Sequence, residues 1–210
     1  MTRILITSGP TRQYLDPVRY LSNASSGRMG SALAAAALAK GWEVVLVSGP
    51  VDIPYPPGAE VIPVVSTEEM LEEALRVFET CDGAIGVAAP CDYRPVRVSK
   101  HKLSKTGGSL KLHLIETPDI MAALGRNKGE RWMVGFALET SDVHLRAFQK
   151  LERKSLDMIV ANGPSAIQSD DTSIDMLTPD GQVVASCEGT KHDVALRIVE
   201  EVSQRFVTIL

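Results

Sequence analysis

The sequence predicts an α/β chain: a Rossmann-like, doubly wound, mainly parallel sheet with a β-hairpin flap and a C-terminal hairpin. Three features carry that prediction. Short apolar runs without alternation (Ile4-Leu5-Ile6-Thr7, Val44 to Val47, Gly83 to Ala88) read as strands covered on both faces. Helical stretches separate them, so consecutive strands run parallel with right-handed crossovers. Between the first strand and the first helix stand some seventeen mostly polar residues, where a compact unit spends about two to six. A connection that long and that polar, carrying Thr11, Arg12, Asp16, Arg19, Ser22 and Asn23, is the first candidate for function.

Each element follows from local chemistry. Ser25-Ser26-Gly27-Arg28-Met29-Gly30 opens the first helix, Ser26 to Lys40, and its hydroxyls, free N–H groups and helix dipole suit an anion such as phosphate. Leu33, Ala34, Ala37 and Leu38 are its sheet-facing positions, and Gly41 closes it. Glu43 to Ser48 is the second strand, followed by a Pro-rich loop (Ile53 to Pro57) and a short strand near Val61 to Val65. Thr67-Glu68-Glu69-Met70 starts a helix with acids in its first turn, ending near Glu79. After the strand Gly83 to Ala88, Ala89-Pro90-Cys91-Asp92-Tyr93-Arg94-Pro95 leaves the edge where open α/β sheets bind ligands.

The pattern then changes. From Val98 to Lys111 come lysines 100, 102, 105 and 111 and a Gly107-Gly108 pair flanked by Leu103, Leu110, Leu112 and Leu114. This reads as a hairpin flap over about residues 96–114 with a basic rim. Thr117-Pro118-Asp119 starts a helix to about Asn127, Trp132 to Ala137 is a strand, and Asp142 to Lys154 a helix. Met158 to Ala161 is the last parallel strand, stopped by Asn162-Gly163-Pro164. Ile174 to Leu177 and Val183 to Ser186 flank Pro179-Asp180-Gly181 as a hairpin, and a helix runs from Lys191 to Phe206.

The 210 residues suit a single domain, 44% hydrophobic and 23% charged, and a net charge of −4 gives no electrostatic case for nucleic acid. Cys81, Cys91 and Cys187 are odd in number and scattered, which argues for a reducing cytoplasm and against a zinc site or disulfide framework. No signal peptide and no membrane span is expected.

A nicotinamide enzyme is the natural first expectation, and the residues argue against it. GxGxxG does not follow the first strand, and the second strand ends at Ser48-Gly49-Pro50 without the ribose-binding acid. No P-loop occurs. What remains is a set of cations: Arg19 and Arg28, Lys102 and Lys105 on the flap, and Lys150 with Lys154 one helical turn apart. Lys100, Lys111 and Lys128 read as solvated surface lysines. A triphosphate would give the cations a reason, with Asp92 and Mg²⁺ at the mouth of the site.

Asp16-Pro17-Val18-Arg19-Tyr20-Leu21-Ser22-Asn23-Ala24-Ser25-Ser26-Gly27-Arg28-Met29-Gly30 resembles the signature of phosphopantothenoylcysteine synthetases, usually DPVRxISNxSSGKMG. The resemblance continues through Ala88 to Pro95, Lys102-Leu103-Ser104-Lys105, Thr117 to Ile120, Gly135 to Thr140, Leu156-Asp157 and Ala161-Asn162, covering nearly the whole chain. It implies a ligase of coenzyme A synthesis, in which 4′-phosphopantothenate attacks the α-phosphate of CTP, pyrophosphate leaves, and L-cysteine displaces CMP from the acyl-cytidylate. It assigns catalytic roles to Asn23, Lys102 and Arg19. It assigns nucleotide binding to Gly9, Ser25, Ser26, Gly27, Ala88, Ala89 and Asp92. Lys102, Lys105, Pro118, Phe136, Lys150 and Lys154 complete that set. CTP and Mg²⁺ are the implied cosubstrates, and a cytoplasmic homodimer the implied assembly.

The family's usual flap KxKK reads Lys102-Leu103-Ser104-Lys105 here, and Arg28 stands for lysine, keeping charge while changing geometry. Ser8-Gly9-Pro10-Thr11 and Pro90-Cys91 are further departures. No counterpart of the flavin-dependent decarboxylase domain often fused in front is present in the sequence. An ATP-dependent version of the same ligase, and a Rossmann-type nucleotide-binding or redox protein, are the alternatives.

Overall fold

The computed structural model describes residues 1–138, 141–162 and 171–207. Strand β1 (Arg3–Ser8) leads into a small antiparallel hairpin, β2 (Arg12–Asp16) and β3 (Arg19–Ser22). Helix α1 (Arg28–Ala39), β4 (Glu43–Ser48), β5 (Glu60–Pro63), α2 (Thr67–Phe78) and β6 (Gly83–Gly86) follow. Next come β7 (Tyr93–Pro95), β8 (Leu114–Glu116), α3 (Ile120–Arg126), β9 (Trp132–Leu138) and α4 (Val143–Arg153). β10 (Met158–Asn162), β11 (Asp171–Leu177), β12 (Val183–Thr190) and α5 (Lys191–Phe206) complete the chain.

Eight strands form one sheet in the order β12-β11-β10-β9-β6-β1-β4-β5. The six from β10 to β5 are parallel, while β11 and β12 add an antiparallel margin. The chain moves outward from β1 through β4 and β5, then returns to the other side of β1 at β6. That reversal leaves a crevice outside the carboxyl ends of β1 and β6, where such sheets take ligands.

The apolar runs are explained by two cores. Ile4 and Ile6 of β1 pack on the α1/α5 face, and Leu5 packs on the face covered by α2, α3 and α4. Each such buried aliphatic side chain stabilises the fold by about 1.5–3 kcal/mol relative to exposure. At the amino ends of the strands Trp132 stacks on Phe206 at 6.1 Å and meets Trp42 at 6.3 Å between ring centroids. Helix α2 begins with a reciprocal cap: Ser66 Oγ accepts from Glu69 N, and Glu69 Oε2 accepts from Ser66 N, both at 3.1 Å. This is worth about 1 kcal/mol.

The structure corrects three expectations. The long connection after β1 is the β2–β3 hairpin, not an irregular loop. Its polar residues are satisfied by distant partners, as Gln13 donates to Glu68 at 2.8 Å. The flap is paired only at its base, β7 on β8 with Val96 N donating to His113 O at 3.0 Å. Residues 97–113 hold no strand, and the Gly107-Gly108 pair joins none. Leu110 and Leu112 lie exposed, so the alternation has no core face to sustain a ladder. Lastly, Lys128 is no solvated lysine: it pairs with Asp157 at 2.7 Å and is 22% exposed. The expected stop at Gly163-Pro164, and the Glu139-Thr140 end of one matching stretch, lie outside the described residues.

Candidate active site

One wall of the crevice is the amino end of α1. Its N-cap is Gly27, in the left-handed conformation (φ 76°), and no side chain caps the helix, so Ser25 and Ser26 do not serve as the expected caps. Glycine holds that conformation at no steric cost, and Gly27, Arg28, Met29 and Gly30 of this helix end line the crevice. The helix sits close on β1: a Cβ added at Gly30 would fall 2.0 Å from Ser8 Oγ. The Pro-rich loop braces this end from outside. Tyr55 donates to Ser8 Oγ at 2.9 Å and lies 2.6 Å from Ser48 Oγ, while Ser31 donates to Pro54 O at 3.2 Å.

The loop after β6 forms the second wall. Ala89 N donates to Gly9 O at 2.9 Å, continuing the β1–β6 pairing past the strand ends. Three threonines, Thr11 and Thr67 buried and Thr117 half-buried, then grip the Cys91 backbone. Cys91 N donates to Thr11 Oγ1 at 2.8 Å, and Cys91 O accepts from Thr117 at 2.7 Å and Thr67 at 3.2 Å. From the α1 side, Asn23 Nδ2 reaches across to Pro90 O at 2.9 Å. The loop is thereby held on both flanks with Asp92 exposed at its end.

The floor and far wall come from β9, α3 and α4. Lys150 Nζ donates to Phe136 O at 2.7 Å, and Lys154 pairs with Asp119 at 2.9 Å. Burial pushes the Asp119 carboxyl up, but the hydrogen bonds from Lys154 and the Ala122 N–H outweigh it and hold it below the usual value. The cleft so enclosed has a volume of about 1120 Å³, room for a nucleotide with a second small substrate.

Of the residues expected to act, Asn23, Ser25, Ser26, Gly27, Ala88, Ala89, Asp92, Pro118, Phe136, Lys150 and Lys154 line this cleft together. Gly9, Arg19, Lys102 and Lys105 do not. Gly9 lies behind the wall, where its carbonyl anchors Ala89. Arg19 is on the β2–β3 hairpin, bound to Asp16 and to the flap, and Lys102 and Lys105 stand exposed on that flap. Arg153 and Lys191, which are not among the residues expected to act, also line the cleft. Arg153 is three residues after Lys150 on the same helical face, a spacing that signals it. Lys191 has no local signal, being brought there by the antiparallel return of β12. Among the described residues no group of three or more His, Cys, Asp or Glu side chains could hold a metal ion.

This is the carboxyl-edge cleft of a Rossmann-like α/β protein. The chain belongs to the family described as the DNA/pantothenate metabolism flavoprotein C-terminal domain, which matches residues 1–206. It is 42% identical over 205 residues to the coenzyme A biosynthesis bifunctional protein CoaBC of Bacillus subtilis, covering 95% of this chain and 50% of that protein. It is 40% identical to the CoaBC of Escherichia coli K12, covering 97% of this chain and 52% of that one. The chain thus spans about half the length of these relatives. The crystal structure of the C-terminal domain of CoaBC superposes with a TM-score of 0.82 at 36% identity, covering 97% of this chain and 94% of the other. No described helix is long and apolar enough to cross a membrane.

Proposed function

We propose that this chain is a phosphopantothenate–cysteine ligase of coenzyme A synthesis, using CTP. The observation that carries the reading is an uncapped α1 amino end facing Lys150 and Lys154 across a cleft, in a chain 42% identical to a coenzyme A biosynthesis protein. In the first step a carboxylate oxygen of 4′-phosphopantothenate attacks the α-phosphorus and the bond to pyrophosphate breaks, leaving an acyl-cytidylate. In the second, the amine of L-cysteine attacks the acyl carbon, CMP leaves with the bridging oxygen, and the amine loses a proton. Lys150, Lys154 and the α1 N–H groups suit the charge that accumulates on pyrophosphate. Ala88, Ala89, Asp92, Pro118 and Phe136 suit the base and ribose.

Asn23 acts on the acyl-nucleotide, next to the loop it anchors. Lys102 and Lys105, exposed on a flap with few ties to the sheet, reach the reaction when the flap folds over bound substrates and excludes water. Mg²⁺ would arrive as the complex of the triphosphate, with Asp92 exposed at the mouth of the cleft. Exposed Val18, Tyr20, Val96, Val98 and Leu110 on the hairpin and flap support a homodimer built on that face. The described cysteines are free thiols, in keeping with a cytoplasmic enzyme.

The test is pyrophosphate release from the purified protein with Mg²⁺, 4′-phosphopantothenate and CTP or ATP, with and without cysteine. Release that requires phosphopantothenate and turns over only with cysteine supports the ligase, and the preferred triphosphate identifies the base. No release with either nucleotide overturns it.

A further inference from the structure

The flap segment 97–112 touches the rest of the molecule through two hydrogen-bonded tethers among the described residues, and both end on the β2–β3 hairpin. Ser99 N donates to Leu15 O at 2.9 Å. At the second, Asp16 Oδ2 accepts from Leu103 N at 3.0 Å and from Arg19 Nη1 at 2.9 Å, and the same Nη1 donates to Leu103 O at 2.9 Å. Both polar groups of Leu103 are therefore held at once, by an acid and a base three residues apart. Asp16 is fully solvent-inaccessible, and its other oxygen accepts from Val18 N and Arg19 N, both at 2.9 Å. Four donors thus converge on one side chain that has only acceptors, and Lys102 immediately precedes the clamped Leu103.

We propose that Asp16 is a positioning residue for the flap: with Arg19 it clamps the N–H and C=O of Leu103 to the β2–β3 hairpin, so that the backbone carrying Lys102 keeps its place on that hairpin as the flap folds over substrates. The choice of residue follows from the donor count. An ionised carboxylate offers about four acceptor sites, which this site fills, whereas an amide would turn its NH₂ toward two of the four donors whichever way it is placed. A buried carboxylate needs such partners, so the clamp and the ionisation of Asp16 sustain each other. The exposed segment has no core of its own, so a backbone clamp replaces packing as the source of order. Its two-point grip on one residue, through the peptide units on either side of its Cα, defines an orientation, where a single hydrogen bond would define only a distance. Arg19 acts through this clamp.

The importance given to Lys102 rests on the ligase reading above; the clamp itself does not. The experiment therefore reads both. Amide hydrogen exchange of Asp16→Asn against the unmodified protein is expected to speed at residues 99–105 while α1 and β4 stay protected. In the pyrophosphate assay kcat is expected to fall by up to about 100-fold with the nucleotide KM little changed. Asp16→Asn added to Lys102→Ala is expected to cost nothing further, since a mispositioned lysine and an absent one are equivalent. Unchanged exchange at 99–105 overturns the clamp, and losses that multiply in the double variant overturn the positioning role. If Asp16→Asn does not fold, Leu103→Pro removes the same N–H from the flap side and carries the same expectations. Should the unmodified protein release no pyrophosphate, the ligase reading fails and the exchange result alone decides the clamp.

Discussion

Oδ1 of Asp119 accepts from two donors at once, the Ala122 N–H at 3.1 Å and the Lys154 ammonium at 2.9 Å. One oxygen thus caps α3 and holds the lysine that ends α4 against the cleft. Asp119→Ala removes the cap and leaves Lys154, only 12% exposed, without that partner. A loss of about 1–2 kcal/mol is expected, read as a lower urea midpoint with an unchanged slope.

The same carboxyl gives a pH dependence. Held below its ordinary value of 3.8, it contributes stability that is complete above that value and is lost as pH falls through its folded-state value. Urea midpoints measured from pH 5 downward are expected to fall less steeply for Asp119→Asn than for the unmodified protein. Parallel acid limbs would show that the pair contributes nothing.

Asn23→Asp replaces an amide donor by a carboxylate facing the Pro90 carbonyl, now 2.9 Å from Nδ2. Acceptor against acceptor loosens the 88–92 loop on its α1 side. Under the ligase reading, cysteine-dependent turnover is expected to drop by about 100-fold or more while a first burst of pyrophosphate persists. Equal loss of burst and turnover would remove Asn23 from the second step.

Lys150→Met keeps the aliphatic stem and deletes the ammonium, which lines the cleft from α4. Losing one charge-assisted hydrogen bond to a triphosphate, worth about 1.5–3 kcal/mol, raises the nucleotide Kd by roughly ten- to a hundredfold. Calorimetric titration with CTP and with ATP is the measurement, and an unaltered Kd would take Lys150 out of nucleotide binding.

Gly30→Ala is a packing test. Its new Cβ would lie 2.0 Å from Ser8 Oγ and 2.6 Å from Ser8 Cβ, so α1 must lift from β1. The expected cost is about 1–3 kcal/mol, with weaker nucleotide binding because the helix end moves. Gly30→Ala combined with Ser8→Gly should recover much of both.

The parallel sheet was legible because its signal is local. The sequence placed β4 at Glu43–Ser48 and α5 at Lys191–Phe206, the bounds the structure has, since apolar runs and helical periodicity need no knowledge of partners. The β2–β3 hairpin was not legible. Gln13 and Asp16 look like loop residues until Glu68 and Leu103 appear opposite them, dozens of positions away. The flap failed in the reverse sense, because alternation at Leu110 and Leu112 suggested strands where no apolar surface receives them. Within the cleft, residues in continuous motifs (Asn23 to Gly27, Ala88 to Asp92) could be found from sequence. The threonines gripping the Cys91 peptide could not, for Thr11, Thr67 and Thr117 share a function only through the fold.

The pair of tryptophans beneath the sheet has an optical consequence. Trp42 and Trp132 are the chain's two indoles, and both sit at the amino ends of the strands, the whole thickness of the sheet's length away from the ligand edge. Their emission will report whether the chain is folded and stay silent to what fills the cleft. The natural fluorescence is thus a clean gauge for denaturation curves, while ligand titrations call for a dye placed on the flap.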